Sequence, residues 1–396
     1  MIEFGTSEYK RVSFIMALGS FLIFCNLYLF QPILPQLADE LSISATKVNW
    51  IFASTTLMLS VFLVPWALVS ESFGRKKVML VGLFVPPIIN VLMMLDSSFY
   101  SMVAGRALMG ISLAAFASVA VAYMAEEMSA SALTQAVGGY IAANSLGGIT
   151  GRIAGGVLTD LFSWQVAASV IAVATLIGAV AVLKILPQQR YFKPQRGLFF
   201  HHNRQLIQHI KDKRVWFAML IGGFNFALFV NLFSVISFRL AEAPYNLPPS
   251  LTSLTFLCYL SGTVSSRYSG KWATRFHPVL GMVLGTIVTL SGMFLAYFPE
   301  IPLMLLGLLL ISSGAFFTHA LAYGWVSQKA VSAKATATAL YLVHYYIGGS
   351  LGGFFLIYCW QQGAWPMVMM GGTVLCFAIF LLCYYLKDMK GSKFEQ

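Results

Sequence analysis

Two arginines occur inside long apolar stretches of the chain, where a charged side chain needs a partner. Arg106 lies in Gly105-Arg-Ala-Leu-Met-Gly110, and Arg152 follows Gly147-Gly-Ile-Thr-Gly151. A guanidinium near the centre of a bilayer costs about 2.5 to 3.5 kcal/mol on insertion scales. No acid stands beside either arginine in sequence, so the pair favours an anion, such as a substrate carboxylate or phosphate. Two alternatives stay open: bonds from Arg106 to backbone carbonyls, and a partner supplied by Asp160, Glu126 or Glu127.

Few other titratable side chains occur in the apolar stretches. His319 and His344 are the two that could carry a proton, because an unperturbed histidine has a pKa near 6.5. A lone histidine in an apolar helix is, however, more often a hydrogen-bonded packing residue. The remaining candidates for a substrate or proton pathway are amides, namely Asn26, Gln31, Asn144 and Asn225.

The composition places these residues in a membrane protein. Of the 396 residues, 58% are hydrophobic and 10% are charged, and the mean hydropathy is +0.78. A soluble domain would carry about 25% charged residues. We predict an all-α membrane protein with twelve helices, since about 20 apolar residues cross a bilayer. The predicted helices are 12–34, 48–70, 78–95, 99–124, 133–159, 166–186, 215–241, 250–273, 279–298, 302–326, 335–360 and 365–386.

The basic residues predict the orientation. If the helices alternate from a cytoplasmic N-terminus, 21 of the 25 Lys and Arg residues lie on the cytoplasmic side and only Lys47 lies outside. This asymmetry follows the positive-inside rule and puts both termini in the cytoplasm. The net charge of +11 therefore reports orientation towards anionic lipid, and no nucleic-acid partner is expected. The five cysteines show no paired spacing and predict neither a disulfide framework nor a metal site.

The chain divides into two halves that resemble each other. Ser145-Leu-Gly-Gly148 recurs as Ser350-Leu-Gly-Gly353, at an offset of 205 residues. We predict a bundle of six helices over 1–186, a basic cytoplasmic linker over 187–214 and a second six-helix bundle over 215–396. Parallel repeats of this kind place a substrate site near the bilayer midplane between the halves. In the linker, Leu206, Ile207 and Ile210 have helical spacing, which fits a short helix on the membrane surface or a solvated segment.

A short basic turn separates the second and third predicted helices. The sequence there is Glu71-Ser-Phe-Gly-Arg-Lys-Lys77. It resembles the signature of the major facilitator superfamily of transporters, with Gly74, Arg75 and Lys76 matching and Glu71 standing where the family has Asp. The resemblance implies that Glu71, Gly74, Arg75 and Lys76 form a switch that holds one conformation of the protein. The alternative is that the cations only set the topology.

Two further signatures resemble the 12-helix drug/proton antiporters of that family. Arg106 is followed four residues later by Gly110, a pattern often tied to proton coupling. The fifth helix is rich in small residues, which let helices approach closely. Here Arg152 replaces the proline that usually follows the second glycine, so a kink is lost and a buried cation is gained. The glycines expected to pack helices are Gly110, Gly147, Gly151, Gly155 and, in the second half, Gly352.

These patterns predict a secondary active transporter of the bacterial inner membrane, working as a monomer by alternating access. The resemblance implies proton-coupled efflux of a small drug-like molecule or metabolite. The helices lack the central acids of many proton-coupled relatives, so uptake symport or uncoupled transport of a sugar or organic anion stays open. A membrane receptor or assembly protein on a transporter fold is the alternative from another class. No enzyme activity, cofactor or ATP site is expected, because no catalytic motif lies in a suitable context.

Overall fold

The computed structural model describes residues 1–192, 207–330 and 334–388, with backbone alone at 334, 335 and 388. These residues are almost entirely helical, and their only β-type pairing is an isolated bridge between Ile2 and Met128. Much of the predicted linker, 193–206, lies outside the described residues. Within its remainder, 207–211 are helical, and Ile207 and Ile210 are exposed.

The described residues fall into two units. The first comprises those within Met1–Leu198 and Ser237–Phe256, and the second those within Phe199–Ile236 and Leu257–Gln396. Six long helices build the first unit. Shorter segments join them at Leu34–Glu40, Ala45–Val48 and Ala120–Glu127. The long helices are α1 (Ser7–Tyr28), α2 (Trp50–Phe73), α3 (Arg75–Leu95), α4 (Phe99–Ala117), α5 (Ala130–Leu161) and α6 (Trp164–Ile185).

The second unit is built in the same way. It contains most of α7 (Lys213–Ala241), then α8 (Tyr259–Arg275), α9 (Pro278–Leu295) and α10 (Ile301–Lys329). The last helical stretch, Lys334–Asp388, is interrupted by non-helical backbone at Gly363 and Ala364. We number its two parts α11 (334–362) and α12 (365–388).

Nine helical stretches in the described part of the chain are long and apolar enough to cross a membrane, one of them covering both α11 and α12. The small and polar residues of α5 and the short length of α8 leave these two below that criterion. The count is consistent with the twelve predicted helices. Large apolar side chains such as Leu95, Ile177 and Phe377 point outwards, 65% to 80% exposed, as lipid-facing residues do.

The predicted first helix ends earlier than expected. Instead of running over 12–34, α1 stops at Tyr28, a 3-10 turn follows at Gln31–Ile33, and the short helix Leu34–Glu40 comes next. Pro32 explains the change, because proline has no N–H to donate to a carbonyl four residues back. The last turn of α1 thus offers its carbonyls to donors from other helices.

Glycines let α5 lie directly on α1. A Cβ built at Gly147 would come 2.3 Å from the carbonyl oxygen of Phe21, and one at Gly155 would come 2.0 Å from that of Leu29. Such distances are inside van der Waals contact, so only glycine fits. The pattern recurs in the second unit, where a Cβ at Gly352 would come 2.5 Å from the backbone of Ala227 on α7. Gly151 against Cys25 and Gly110 against Thr55 pack in the same manner.

Candidate functional site

Two buried arginines of the first unit, Arg106 and Arg152, meet the same stretch of chain at the end of α1. Arg106 of α4 is fully buried, and its guanidinium donates to the carbonyl oxygens of Asn26 at 2.9 Å and Leu27 at 2.7 Å. Its Nε donates to the carbonyl of Ile51 on α2 at 3.2 Å. We call residues 26–31 the α1 end segment.

This geometry explains how a cation is tolerated inside the helix bundle. The last carbonyls of a helix carry partial negative charge, equivalent to about half an elementary charge in total. Arg106 uses that charge and ties α1, α2 and α4 together. Its ring contact with Phe30, at 4.9 Å from the centroid, covers the guanidinium further. The bonds match the alternative in which Arg106 bonds backbone carbonyls.

Arg152 approaches the same segment from α5. Its Nε donates to Oε1 of Gln31 at 2.8 Å, and a terminal nitrogen donates to the carbonyl of Gly148 at 2.9 Å. The guanidinium stacks on Tyr28, 3.6 Å from the ring centroid, and also faces Phe256 at 4.8 Å. Only 2% of the residue is exposed. A desolvated cation between aromatic faces gains about 2 kcal/mol or more from each good contact.

Asn26 completes the group. Its amide donates to the Leu22 carbonyl at 2.9 Å and to Oγ1 of Thr175 on α6 at 2.8 Å, and its side-chain oxygen accepts from Asn90 on α3 at 3.4 Å. Four predicted candidates, Asn26, Gln31, Arg106 and Arg152, therefore gather at one end of α1. Sequence reasoning missed the groups that surround them, which are Tyr28, Phe256, Thr175 and Asn90, because they carry no charge and match no motif.

Asn144 lies elsewhere on α5 and does not join this group. It is half-buried, and its side-chain oxygen has no hydrogen-bond donor among the described residues. An amide oxygen without a partner in a membrane helix could bind a ligand or water. Asn144 is therefore a polar residue of the first unit that lies apart from the group at the α1 end segment.

In the second unit, His319 of α10 sits in a cluster of tyrosines. The hydroxyl of Tyr341 on α11 is 2.9 Å from its Nδ1. The ring centroids of Tyr345 and Tyr323 are 4.4 Å and 6.3 Å from that of the histidine. Tyr341 is fully buried, and its hydrogen bond to Nδ1 orients one edge of the imidazole.

The other predicted groups of this unit bond to the backbone. His344 contacts the carbonyl of Leu340 in its own helix at 2.8 Å, as the packing alternative expects. Asn225 of α7 donates to the carbonyl of Ala315 on α10 at 3.0 Å. Of the two histidines, His319 alone has a side-chain hydrogen-bond partner among the contacts resolved in the described residues.

Asn231, the other asparagine that the sequence offers on α7, is fully buried. Its amide donates to the carbonyl of Ala227 at 2.9 Å and to that of Gly349 at 2.8 Å. It follows Asn26 by 205 residues, the offset of the Ser-Leu-Gly-Gly repeats, and both amides bond the carbonyl four residues earlier. The repeat offset thus relates Asn231 to Asn26.

The basic turn lies at the far end of the first unit from the α1 end segment. Gly74 has a φ of +96°, a conformation that favours glycine, and it separates α2 from α3 without a longer loop. Arg75 forms an ion pair with Glu126 at 2.9 Å and donates to the hydroxyl of Ser70. Glu71 lies in the last turn of α2, three residues before Gly74.

Lys76 bonds backbone carbonyls, whereas Arg75 pairs with a carboxylate. Its ammonium donates to the carbonyls of Leu183 and Leu186 at the end of α6, the first at 3.0 Å, so it caps that helix. Glu127, the neighbour of Glu126, accepts hydrogen bonds from the backbone N–H groups of Arg190 and Tyr191. The turn is thus connected to the segment that follows α6, and the two glutamates are committed at this end, away from Arg106 and Arg152.

Comparison with known proteins supplies the family. The family model of the Major Facilitator Superfamily matches residues 16–353. The chain is 33% identical over 372 residues to the inner membrane transport protein YnfM of Escherichia coli, covering 92% of this chain and 87% of that protein. It is 29% identical over 394 residues to the uncharacterized MFS-type transporter YybF of Bacillus subtilis, covering 98% and 96%. The crystal structure of the human organic anion transporter MFSD10 shares the fold, with a TM-score of 0.71 and 17% identity over 96% of this chain and 99% of that chain.

Proposed function

The chain belongs to the major facilitator superfamily and is a multi-pass membrane transporter, and we propose that it couples proton movement to the efflux of a small molecule. The observation that carries the coupling is the placement of His319. It is a titratable group inside a membrane helix with a hydrogen-bonded hydroxyl beside it. Proton coupling needs a group that gains and loses a proton during transport, and histidine is a side chain of this kind.

The hydrogen bond between Tyr341 and His319 would respond to protonation of the histidine. When Nδ1 of His319 is deprotonated, it accepts the tyrosine hydroxyl. When the ring is protonated, both nitrogens are donors, and the hydroxyl must turn to accept. A proton on His319 therefore changes the hydrogen bonding between α10 and α11, which is a means of linking protonation to helix position.

Efflux is proposed from the likeness to drug/proton antiporters in the Arg106–Gly110 pattern and the glycine-rich fifth helix. The substrate would be reached alternately from the two membrane faces, with both termini in the cytoplasm and the chain acting as a monomer in the inner membrane. We assign the Glu71–Lys76 turn the role of a conformational switch. Its ion pair between Arg75 and Glu126 is the contact that would form and break.

A second candidate is uptake of an organic anion. It is favoured by the position of Arg106 and Arg152, two cations gathered at one segment, whose hydrogen bonds described above go to carbonyl and amide oxygens. Such cations could exchange these neutral partners for a substrate carboxylate. The sign of proton movement separates this candidate from efflux.

The test is proton flux in proteoliposomes loaded with a pH-sensitive dye. Lipophilic cations, sugars and organic anions are offered in turn to the wild type and to His319→Gln, which keeps an acceptor for Tyr341 but cannot titrate. We expect at least one compound to move protons, and His319→Gln to abolish that movement. The matched control is His277→Gln, because His277 is exposed at the start of α9.

Two results would contradict the proposal. Substrate movement without any pH change would replace it with an uncoupled facilitator. Equal proton flux in the wild type and His319→Gln would move the coupling to another group. An organic anion that enters together with protons would favour the second candidate.

A further inference from the structure

A cavity of about 400 Å³ opens in the first unit, beyond the α1 end segment. Its walls come from the short helix after α1, the end of α5 and the stretch from Ser237 to Thr252. Pockets that hold small organic molecules measure about 300 to 1,000 Å³. No role described above uses this space, and a wall of apolar side chains lines part of it, namely Pro32, Pro35, Phe162, Leu247 and Pro249.

The charge of the cavity is opposite to that of the protein. Asp39 and Asp160 line it, and among the described residues no lysine, arginine or histidine does. The chain as a whole carries a net charge of +11. Asp160 accepts a hydrogen bond from the Ser250 hydroxyl, which fixes its carboxylate at the wall. Two carboxylates beside apolar walls attract a cation and disfavour an anion.

A second observation is independent of the acids. Thr159 lines the cavity and is 3% exposed, yet its hydroxyl has no hydrogen-bond partner among the described residues. Three buried threonines of other helices, Thr175, Thr286 and Thr289, instead donate to the carbonyl four residues earlier. A buried hydroxyl left without a partner costs about 1 to 3 kcal/mol. The hydroxyl of Thr159 is therefore available to a molecule inside the cavity.

We propose that this cavity binds a small organic ammonium, with Asp39 and Asp160 balancing its charge, Thr159 accepting one N–H and the apolar wall covering its hydrocarbon part. The volume suits a ligand with one aromatic ring. Neither Arg106 nor Arg152 lines the site. The proposal requires neither proton coupling nor any direction of transport.

Equilibrium dialysis of the detergent-purified full chain against radiolabelled 2-phenylethylammonium tests the proposal. Propylbenzene and 3-phenylpropanoate, similar in size but neutral and anionic, serve as competitors. We expect saturable binding that neither competitor displaces and that weakens as salt is raised. The double variant Asp39→Asn, Asp160→Asn should bind at least about tenfold more weakly, because both Coulomb attractions are lost. Glu300→Gln removes an exposed acid of the other unit and is the matched control.

Thr159→Val separates a ligand contact from a structural role. Valine has nearly the same shape, and the hydroxyl stabilises nothing in the free protein, so the thermal midpoint should not fall. Binding should weaken roughly threefold to tenfold, the worth of one hydrogen bond. Thr134→Val, on the exposed face of α5, is the control.

Several outcomes overturn the proposal. They are undetectable binding in the wild type, unchanged affinity in the double aspartate variant, and displacement by propylbenzene at matched concentration. A fall in the thermal midpoint of Thr159→Val would show that the hydroxyl is structural. Because the assay measures binding at equilibrium, its result is distinct from failure of the proton-flux experiment.

Discussion

The repeat-related helices α5 and α11 use the same packing and carry different chemistry. Both lie on a partner helix through glycines, Gly147 against α1 and Gly352 against α7. At the position 205 residues after Arg152, the second unit has Ile357, which is also fully buried. A duplicated helix pair thus holds a cation in one copy and a hydrocarbon side chain in the other.

The comparison of the two copies separates the features that stabilise the helix pair from those that differ between the copies. The glycine contacts are present in both copies, as are the buried asparagines Asn26 and Asn231, so these features stabilise the helix pair itself. Arg152, which stacks on Tyr28, occurs in one copy only, and Ile357 takes the matching position in the other. A residue that breaks the repeat is the better candidate for function.

The largest effect is expected from the glycines. Gly147→Ala and Gly352→Ala should each lower the thermal midpoint sharply or prevent folding, because the new Cβ meets backbone atoms that cannot move aside. Overpacking typically costs about 1 to 3 kcal/mol, and contact with backbone lies at the upper end. Thermal unfolding in detergent measures this.

Gly138→Ala is the control on the same helix, since a Cβ there has nothing within 4 Å. It should be neutral or slightly stabilising, because alanine is the better helix former by about 1 kcal/mol. Equal midpoints for Gly147→Ala and Gly138→Ala would mean that α5 does not lie on α1 as closely as described.

The second prediction concerns Arg152→Ile, which gives the first unit the residue of the second. We expect the protein to fold, because isoleucine fills the matching buried position of the second unit. Transport should fall at least about tenfold if the guanidinium binds substrate, since a hydrogen bond to a charged group contributes about 1.5 to 3 kcal/mol. Transport of the compound that is active in proteoliposomes measures the loss, with the thermal midpoint as the check on folding.

Ile357→Val, a conservative change at the matching position, is the control and should leave transport unaltered. Full transport by Arg152→Ile would show that the arginine has no role in transport and that the two copies do not differ in function at this position. Loss of folding in Arg152→Ile but not in Arg152→Lys would show that the buried positive charge stabilises the fold.

The smallest effects are expected at the asparagines. Asn26→Leu should destabilise more than Asn231→Leu, because it strips side-chain partners from Thr175 and Asn90, whereas Asn231 bonds carbonyls in the contacts described above. Each lost hydrogen bond costs about 0.5 to 1.5 kcal/mol, which is less than the expected cost of the glycine substitutions. Denaturation midpoints of the two variants give the comparison.

A double variant sharpens that result. Thr175→Val combined with Asn26→Leu replaces both partners by apolar groups and should recover part of the lost stability. Strict additivity of the two single changes would show that the Asn26–Thr175 hydrogen bond contributes nothing measurable.

Part of the site could be read from the sequence. Arg106, Arg152, Asn26 and Gln31 stand out because a polar group in an apolar helix is costly and therefore rare. Which partners they find could not be predicted, since Arg106 bonds carbonyls 79 and 80 residues away and Arg152 bonds an amide 121 residues away. The same limit applies to Arg75, whose partner Glu126 lies on another helix end.

The sequence by itself determined the membrane class and the duplication, because these depend on composition and on spacing along the chain, and its resemblance to known signatures indicated the family. Even the end of α1 was within reach, since Pro32 forbids the hydrogen bond that would extend it. Only the tertiary structure decided that two arginines share one helix end, that His319 meets Tyr341, and that Thr159 faces a cavity with two acids. Those contacts join distant helices, and their geometry depends on how side chains fit between helices, which no local pattern records.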